Sequence, residues 1–258
     1  MKAGLFAALL LSLGAEAQEI VSVPSRQGVT QAFFIAGMGE RKAQAVALLY
    51  VGGGGSIKLR LEDGRPKFGA NNFLPRSRAD FIRNGVVPVV MDAPSDQLGG
   101  LTEYYRVSEQ QSEDARAVLA ELKKRFPGLP VFIVGTSKGT VTAAYVGRAL
   151  GGDIAGVVLT SSLLTPPRGA TLVGFDYASV KAPLLFVHHR EDSCKATPYA
   201  EAHRLSARYP LISVRGGKPS ESGPCEPYAP HGFYGKEAET VDAITAWMLK
   251  KPYRREID

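Results

Sequence analysis

The stretch VFIVGTSKGTVTAA, residues 131–144, joins an apolar run to Gly-Thr-Ser-Lys-Gly and then to small helix-forming residues. The run VFIVG reads as a strand covered on both faces, because its apolarity is continuous rather than alternating. The residues after Ser137 read as a helix reaching Leu150, where Gly151 supplies the positive φ that ends a helix. A serine at that junction sits on a sharp strand-to-helix turn, with its hydroxyl lifted to the carboxyl edge of a sheet. The glycines at 135 and 139 relieve the crowding around it. Ser137 is therefore the candidate nucleophile, and the Lys138 backbone N–H, at the helix start, is a candidate donor to a developing oxyanion. The competing reading is a glycine-rich turn that only connects strand to helix. The rest of the chain has to decide between them.

Working outward, short apolar runs alternate with longer amphipathic ones from about residue 31. This is the layout of βαβ units around a mostly parallel sheet. The candidate strands are AFFIAG, AVALLYV, VVPVVMD, VFIVG, GVVLTS, PLLFVHH and PLISVRG. Residues 108–126 make the clearest helix. Ser108 and Gln111 have capping-box spacing, acids come early and bases late, and Ala115, Val118, Leu119, Leu122 and Phe126 share one face. A second helix is expected from Leu74 to Asn84, and a last one over about 236–250 turns Val241, Ile244, Trp247 and Met248 inward. No repeat or linker divides the chain after residue 17, so one domain is expected over 18–258. The segment 163–182 leaves room for a small lid at most.

A nucleophilic serine needs a second oxyanion donor, a base and an acid. The run Val51-Gly52-Gly53-Gly54-Gly55 follows an early strand. Its glycines let the backbone approach a substrate oxygen, with Gly53 the first choice and Gly54 the alternative. A phosphate-cradling loop is disfavoured, because no Gly-Lys-Ser/Thr follows and Ile57 stands where a last glycine belongs. Of the four histidines, His203 falls in a helical pattern. His231 falls in the loop APHGFYG between the last strand and last helix, which makes it the candidate base. Asp192, in the turn after PLLFVHH, is the candidate acid, with Glu191 beside it as the other carboxylate. A metal site at His188, His189, Asp192 and Cys194 is disfavoured, since adjacent strand residues point to opposite faces.

The chain of 258 residues carries a net charge of +6, with bases and acids interspersed. No basic stripe or nucleic-acid reading motif is present, which argues against a nucleic-acid partner. The amino-terminal stretch has Lys2, an apolar core from Ala3 to Ala15 and Ala15-Glu16-Ala17 as a cleavage site. Residues 1–17 thus read as a secretory signal peptide cut near Ala17. The core is shorter than the roughly 20 residues of a membrane span, so stable membrane insertion is not expected. Two cysteines in an exported protein, Cys194 and Cys225, suggest one disulfide.

Taken in order, the GGGG loop, GTSKG, HHRED and APHGF resemble the α/β-hydrolase superfamily over nearly the whole chain beyond the leader, and exported bacterial members of it in particular. The resemblance implies a mostly parallel eight-stranded sheet with helices on both faces and little or no lid. It also implies a triad of Ser137, Asp192 and His231 in that chain order. HHRED departs from the usual His-Gly-x-x-Asp turn by placing His189 where glycine often stands. A Cys194–Cys225 bridge would join the loop of the acid to the loop of the histidine. The expectation is an exported serine hydrolase, of carboxylesterase type, acting on a small-molecule ester through an acyl-enzyme with no cofactor and no metal. Amide hydrolysis, acyl transfer and a non-catalytic periplasmic binding protein are the alternatives. Lys138, Arg190 and Lys195 are candidates to favour an anionic substrate.

Overall fold

The runs at 45–50, 86–91 and 131–134 lack polar alternation, and such strands need cover on both faces. In the computed structural model, which describes residues 18–39, 41–165 and 169–258, all three lie in interior strands whose every residue is buried. The strands are β1 (Glu19–Arg26), β2 (Val29–Ile35), β3 (Ala45–Tyr50), β4 (Arg60–Glu62), β5 (Arg65–Lys67), β6 (Val86–Met91), β7 (Val131–Thr136), β8 (Gly156–Thr160), β9 (Leu184–His189), β10 (Leu211–Val214) and β11 (Glu256–Ile257). Nine of them form one sheet in the order β1-β2-β6-β3-β7-β8-β9-β10-β11, with β4 and β5 a separate hairpin. From β6 onward neighbouring strands are parallel, while β1 and β2 pair antiparallel at one edge.

The sheet thus has nine strands where eight are expected. The ninth, β11, is two residues long and joins the β10 edge at the chain's end, Val214 beside Ile257. The segment before residue 31 also proves to be a strand. In β1 only Val21 is buried, so the continuous apolarity that marks the interior strands is missing. Pro88 lies within interior strand β6, although proline removes a ladder donor. Its carbonyl accepts the Ala36 N–H at 3.2 Å on the β2 side, just past the last paired residues Ile35 and Val89, so the missing N–H leaves no acceptor stranded within that ladder.

The helices are α1 (Phe73–Arg76), α2 (Arg78–Arg83), α3 (Glu103–Arg106), α4 (Glu109–Arg125), α5 (Lys138–Leu150), α6 (Tyr199–Leu205) and α7 (Glu237–Met248). The helix expected over 74–84 is in fact α1 and α2, divided at Ser77, where ψ turns to 11°. Ser108 caps α4 by accepting the Gln111 N–H at 3.3 Å, as the capping spacing requires. Alternate strand residues feed two cores. Val46, Leu48, Ile133 and Phe186 pack with α4 and α5 on one face, and Ala47, Leu49, Val134 and Val187 with α1, α2 and α7 on the other. Each fully buried aliphatic or aromatic side chain contributes about 1.5–3 kcal/mol. In the segment expected to hold at most a small lid, Leu163, Leu172, Phe175 and Val180 turn into the α4–α5 core. The proposed leader, residues 1–17, lies outside the described residues.

Candidate active site

The carboxyl ends of parallel strands are where this kind of sheet binds ligands, and the four loops singled out in the sequence all emerge there. Ser137 caps the amino end of α5 with φ 53° and ψ −126°. A non-glycine residue costs about 1–3 kcal/mol in such a conformation and holds it only where the surroundings force it. Close packing supplies that force. A Cβ on Gly139 would lie 2.2 Å from the Tyr50 carbonyl oxygen, one on Gly135 would lie 2.4 Å from the Gly139 oxygen, and one on Gly52 would lie 2.9 Å from the Ser137 Cβ. The three glycines let β3, β7 and α5 approach until the serine has one place to go. The Ser137 N–H donates to the Thr160 carbonyl at 3.0 Å, and its own carbonyl accepts from Thr140 N–H and Oγ1 at 2.9 and 2.6 Å.

The imidazole of His231, 5% exposed, stands with Nδ1 3.0 Å from Asp192 Oδ2. The Asp192 side chain is fully buried. It accepts the Cys194 N–H at 2.9 Å and the Thr197 hydroxyl at 2.8 Å, and that hydroxyl also lies 3.2 Å from His231 Nδ1. With a carboxylate at Nδ1, the proton sits on Nδ1 and Nε2 is left as a base. Nε2 is buried and finds no hydrogen-bond partner among the described residues. Ser137, His231, Gly52, Gly53, Cys225 and Pro227 line one cleft of about 310 Å³. Ser137 and His231 share no hydrogen bond here, and such contacts tighten when substrate binds. Larger hollows of 470 and 670 Å³ open at the other end of the sheet, around Arg83 and around Trp247, and bring no His–carboxylate pair together.

HHRED forms its turn without the glycine. The Asp192 N–H donates to the His189 carbonyl at 3.2 Å, and the His189 ring is held between the Gly216 carbonyl at Nε2 and the Glu191 N–H at Nδ1. Burial lowers the pKa of this ring. His188 is wholly buried. Its Nε2 accepts the Ser162 N–H at 3.0 Å, and burial above all pushes its pKa down to about 3. Glu191, the other carboxylate near the turn, is exposed and accepts the Gly216 N–H at 3.3 Å, so it is not the partner of His231. Cys194 and Cys225 form a disulfide. No cluster of three or more His, Cys, Asp or Glu suited to a metal occurs among the described residues.

Three contributors carry no signal in the sequence. Thr197 bridges the acid and the base. Ser161, in the segment Thr160-Ser161-Ser162, donates its hydroxyl to the His231 carbonyl at 2.8 Å. Arg76 donates to the Gly232 and Pro227 carbonyls at 2.9 and 3.1 Å and pairs with Glu237, fastening the histidine loop to α1 and α7. Each reaches the histidine loop across 34 or more positions of sequence, where local pattern says nothing. Two of the basic side chains expected near the substrate turn elsewhere. Lys138 pairs with Glu103 at 2.5 Å and Arg190 with Glu256 at 2.5 Å, while Lys195 lines a neighbouring hollow of about 590 Å³. The charged side chain on the cleft wall is Glu226, a carboxylate.

Residues 95–216 match the family model described as serine aminopeptidase, S33. No curated protein matches the chain. Solved structures similar to it include Est1E from Butyrivibrio proteoclasticus with bound ferulic acid (14% identity, TM-score 0.58, covering 90% of this chain and 98% of that one). Another is the esterase domain of a Rhodothermus marinus protein (14% identity, TM-score 0.59, 91% and 98% covered). A third, from Xanthomonas campestris, is described as an α/β serine hydrolase without a lid (14% identity, TM-score 0.55, 93% and 97% covered). With its largely parallel sheet, helices on both faces, and Leu163, Leu172, Phe175 and Val180 packed into the core, the chain has the α/β-hydrolase fold.

Proposed function

We propose that the protein is a serine hydrolase that cleaves small carboxylic esters through an acyl-enzyme. The observation that carries this reading is the ring of His231, hydrogen-bonded to the buried Asp192 carboxylate at Nδ1 with Nε2 unspent in the cleft that Ser137 lines. In the first step Ser137 Oγ attacks the ester carbonyl carbon and its proton passes to His231 Nε2. The imidazolium then returns that proton to the leaving alkoxide, and the acyl group stays on Ser137. Water, deprotonated by the same Nε2, attacks the acyl carbon, the bond to Ser137 Oγ breaks to release the acid, and the imidazolium returns its proton to Oγ. Asp192 stays ionised throughout and steadies the charged ring. The Gly53 N–H, with Gly54 as the alternative, and the Lys138 N–H stabilise the oxyanion of each tetrahedral intermediate. The amides of Gly53, Gly54 and Lys138 donate to no acceptor among the described residues, which leaves them available for that task.

The likeness of residues 95–216 to a serine aminopeptidase model supports a second reading, amide or peptide hydrolysis by the same triad. Export is part of the proposal, with residues 1–17 removed near Ala17. All three are tested on protein produced through a bacterial secretion pathway. Its amino terminus, read by mass spectrometry, should be Gln18. A fluorophosphonate probe should label Ser137, and Ser137→Ala should abolish both labelling and hydrolysis of short p-nitrophenyl esters. Faster turnover of aminoacyl p-nitroanilides than of esters would move the assignment to the amidase reading. Neither label nor turnover of either substrate would sink the hydrolase reading and favour a binding protein.

A further inference from the structure

Arg106 ends α3, a four-residue helix capped by the Thr102 hydroxyl. It is 1% exposed and is the bulkiest fully buried side chain of the described residues. Burying a guanidinium costs several kcal/mol unless its donors are met, and the desolvation is felt in a lowered pKa. Among the described residues its hydrogen-bond partners are not carboxylates. Nη2 donates to the Gly53 carbonyl at 2.7 Å, and Nη1 to the Thr142 hydroxyl at 3.3 Å and, at the long limit of 3.5 Å, to the Lys138 carbonyl. One buried charge therefore reaches both segments that supply the oxyanion amides, the glycine loop and the first turn of α5.

Peptide geometry turns this contact into control of a donor. In a trans peptide the carbonyl and the following N–H point in opposite directions, so fixing one fixes the other. The Gly53 carbonyl held by Arg106 sets the direction of the Gly54 N–H. The Gly52 carbonyl, which accepts the Gly55 N–H at 3.1 Å, sets that of the Gly53 N–H. A run of four glycines has more conformational freedom to lose than any other sequence of that length, and without a tether its amides would sample many directions. A Cβ on Gly55 would lie 2.7 Å from the Leu101 side chain and 3.0 Å from Nη2, so the glycine lets the loop pack closely against both.

We propose that Arg106 is a positioning residue of the oxyanion hole, locking the glycine loop against the start of α5 so that the amides of both converge on one oxygen. The proposal rests on the serine-hydrolase reading. Preorganised donors stabilise the transition state far more than the bound substrate, so the loss should fall on kcat and not on KM.

The test uses the mature protein with Arg106→Lys, which keeps the charge and loses the fork, and Arg106→Met, which keeps length and loses the charge. Folding is checked by circular dichroism. For the folded variants kcat on a p-nitrophenyl ester should fall about 100-fold with KM within about threefold, on the scale of losing one oxyanion donor. Inhibition by a trifluoromethyl ketone, whose serine adduct carries an oxyanion, should weaken by the same factor. A structural role alone would lower the melting temperature and leave kcat and ketone affinity unchanged, and that result overturns the proposal. If neither variant folds, Thr142→Val removes one of the guanidinium's acceptors with little change of volume. It should lower kcat about three- to tenfold at constant KM, and an unchanged kcat overturns the proposal. Parent protein that is neither labelled at Ser137 nor active defeats the hydrolase reading and Arg106 with it. An active parent with unaffected variants defeats Arg106 alone.

Discussion

Ser137 is held where Gly52, Gly135 and Gly139 bring three backbone segments too close for any Cβ, within a few residues of a strand and a helix. His231 stands in a long connection between β10 and α7 whose only regular element is the short turn at Pro230–Gly232. Three steric contacts of the same kind occur there, Gly232 against the Pro227 carbonyl, Gly217 against the Tyr234 carbonyl and Gly235 against the Lys218 nitrogen, but each joins the connection only to itself. Otherwise the histidine loop is held by tethers from elsewhere in the chain: the disulfide to Cys194, the hydroxyl of Ser161, the guanidinium of Arg76 and the Asp192–Thr197 pair. A residue at the end of a strand can be placed by packing alone. A residue in a long loop needs cross-links to stand still, because each ordered residue costs about 1–2 kcal/mol of backbone entropy.

Gly139→Ala attacks the packed half and should show the largest effect. The added Cβ would meet the backbone oxygens of Tyr50 and Val51, which belong to or adjoin interior strand β3 and cannot swing aside. A loss of about 4 kcal/mol or more is expected in urea unfolding, with Ser137 activity lost in step with the fold. A variant of near-parental stability would show that β3 and α5 are less tightly coupled than the contact implies.

Removing the disulfide attacks the tethered half. The bridge closes a sequence separation of 31, which in the chain-entropy model contributes about 3–4 kcal/mol. The Cys194 N–H also holds Asp192 Oδ1, so loosening the bridge disturbs the acid before the cores. Activity should fall at reductant concentrations that leave the near-UV circular dichroism intact. Equal loss of both signals at every concentration would count against a tethering role.

His188→Gln should have the smallest effect and reports on the wall between the halves. The His188 ring accepts the Ser162 N–H from β9, and burial holds its pKa near 3 against about 6.5 in an unfolded chain. Between those values the unfolded chain binds a proton that the native state does not, so this group makes stability fall as pH falls. From pH 7 to pH 5 it should contribute about 2 kcal/mol of destabilisation. The glutamine variant can still accept from Ser162 and should lose that part of the slope in urea unfolding at the two pH values. An unchanged slope would assign the acid sensitivity to other groups.

The same contrast explains what is legible in the sequence. The interior strands announce themselves because residues buried on both faces must be apolar without alternation, as in VVPVVM and VFIV. Strand β1, with one buried residue, and α3, with four residues in all, carry too little burial or length to leave a period, and neither shows in the sequence pattern. Helix α4 is legible to within a residue at each end because its cap and its charge order are local chemistry. The expected single helix at 74–84 is divided at Ser77, whose φ of −90° and ψ of 11° leave the helical range with neither glycine nor proline at that position to signal it.

For the site, the sequence by itself determined which residues could do chemistry. A serine between glycines at a strand-to-helix junction, a carboxylate after a buried strand and a histidine in a late loop are local patterns whose order along the chain limits their roles. Only the tertiary structure decided which carboxylate meets the histidine, with Asp192 buried against the ring and Glu191 left in solvent. It alone brought in Thr197, Ser161, Arg76 and Arg106, and it turned Lys138 and Arg190 away into ion pairs. The physical reason is range. Propensity, capping and burial period act over a few residues and are written in the chain, whereas a hydrogen bond between residues 70 or 156 positions apart exists only after the sheet has brought them together.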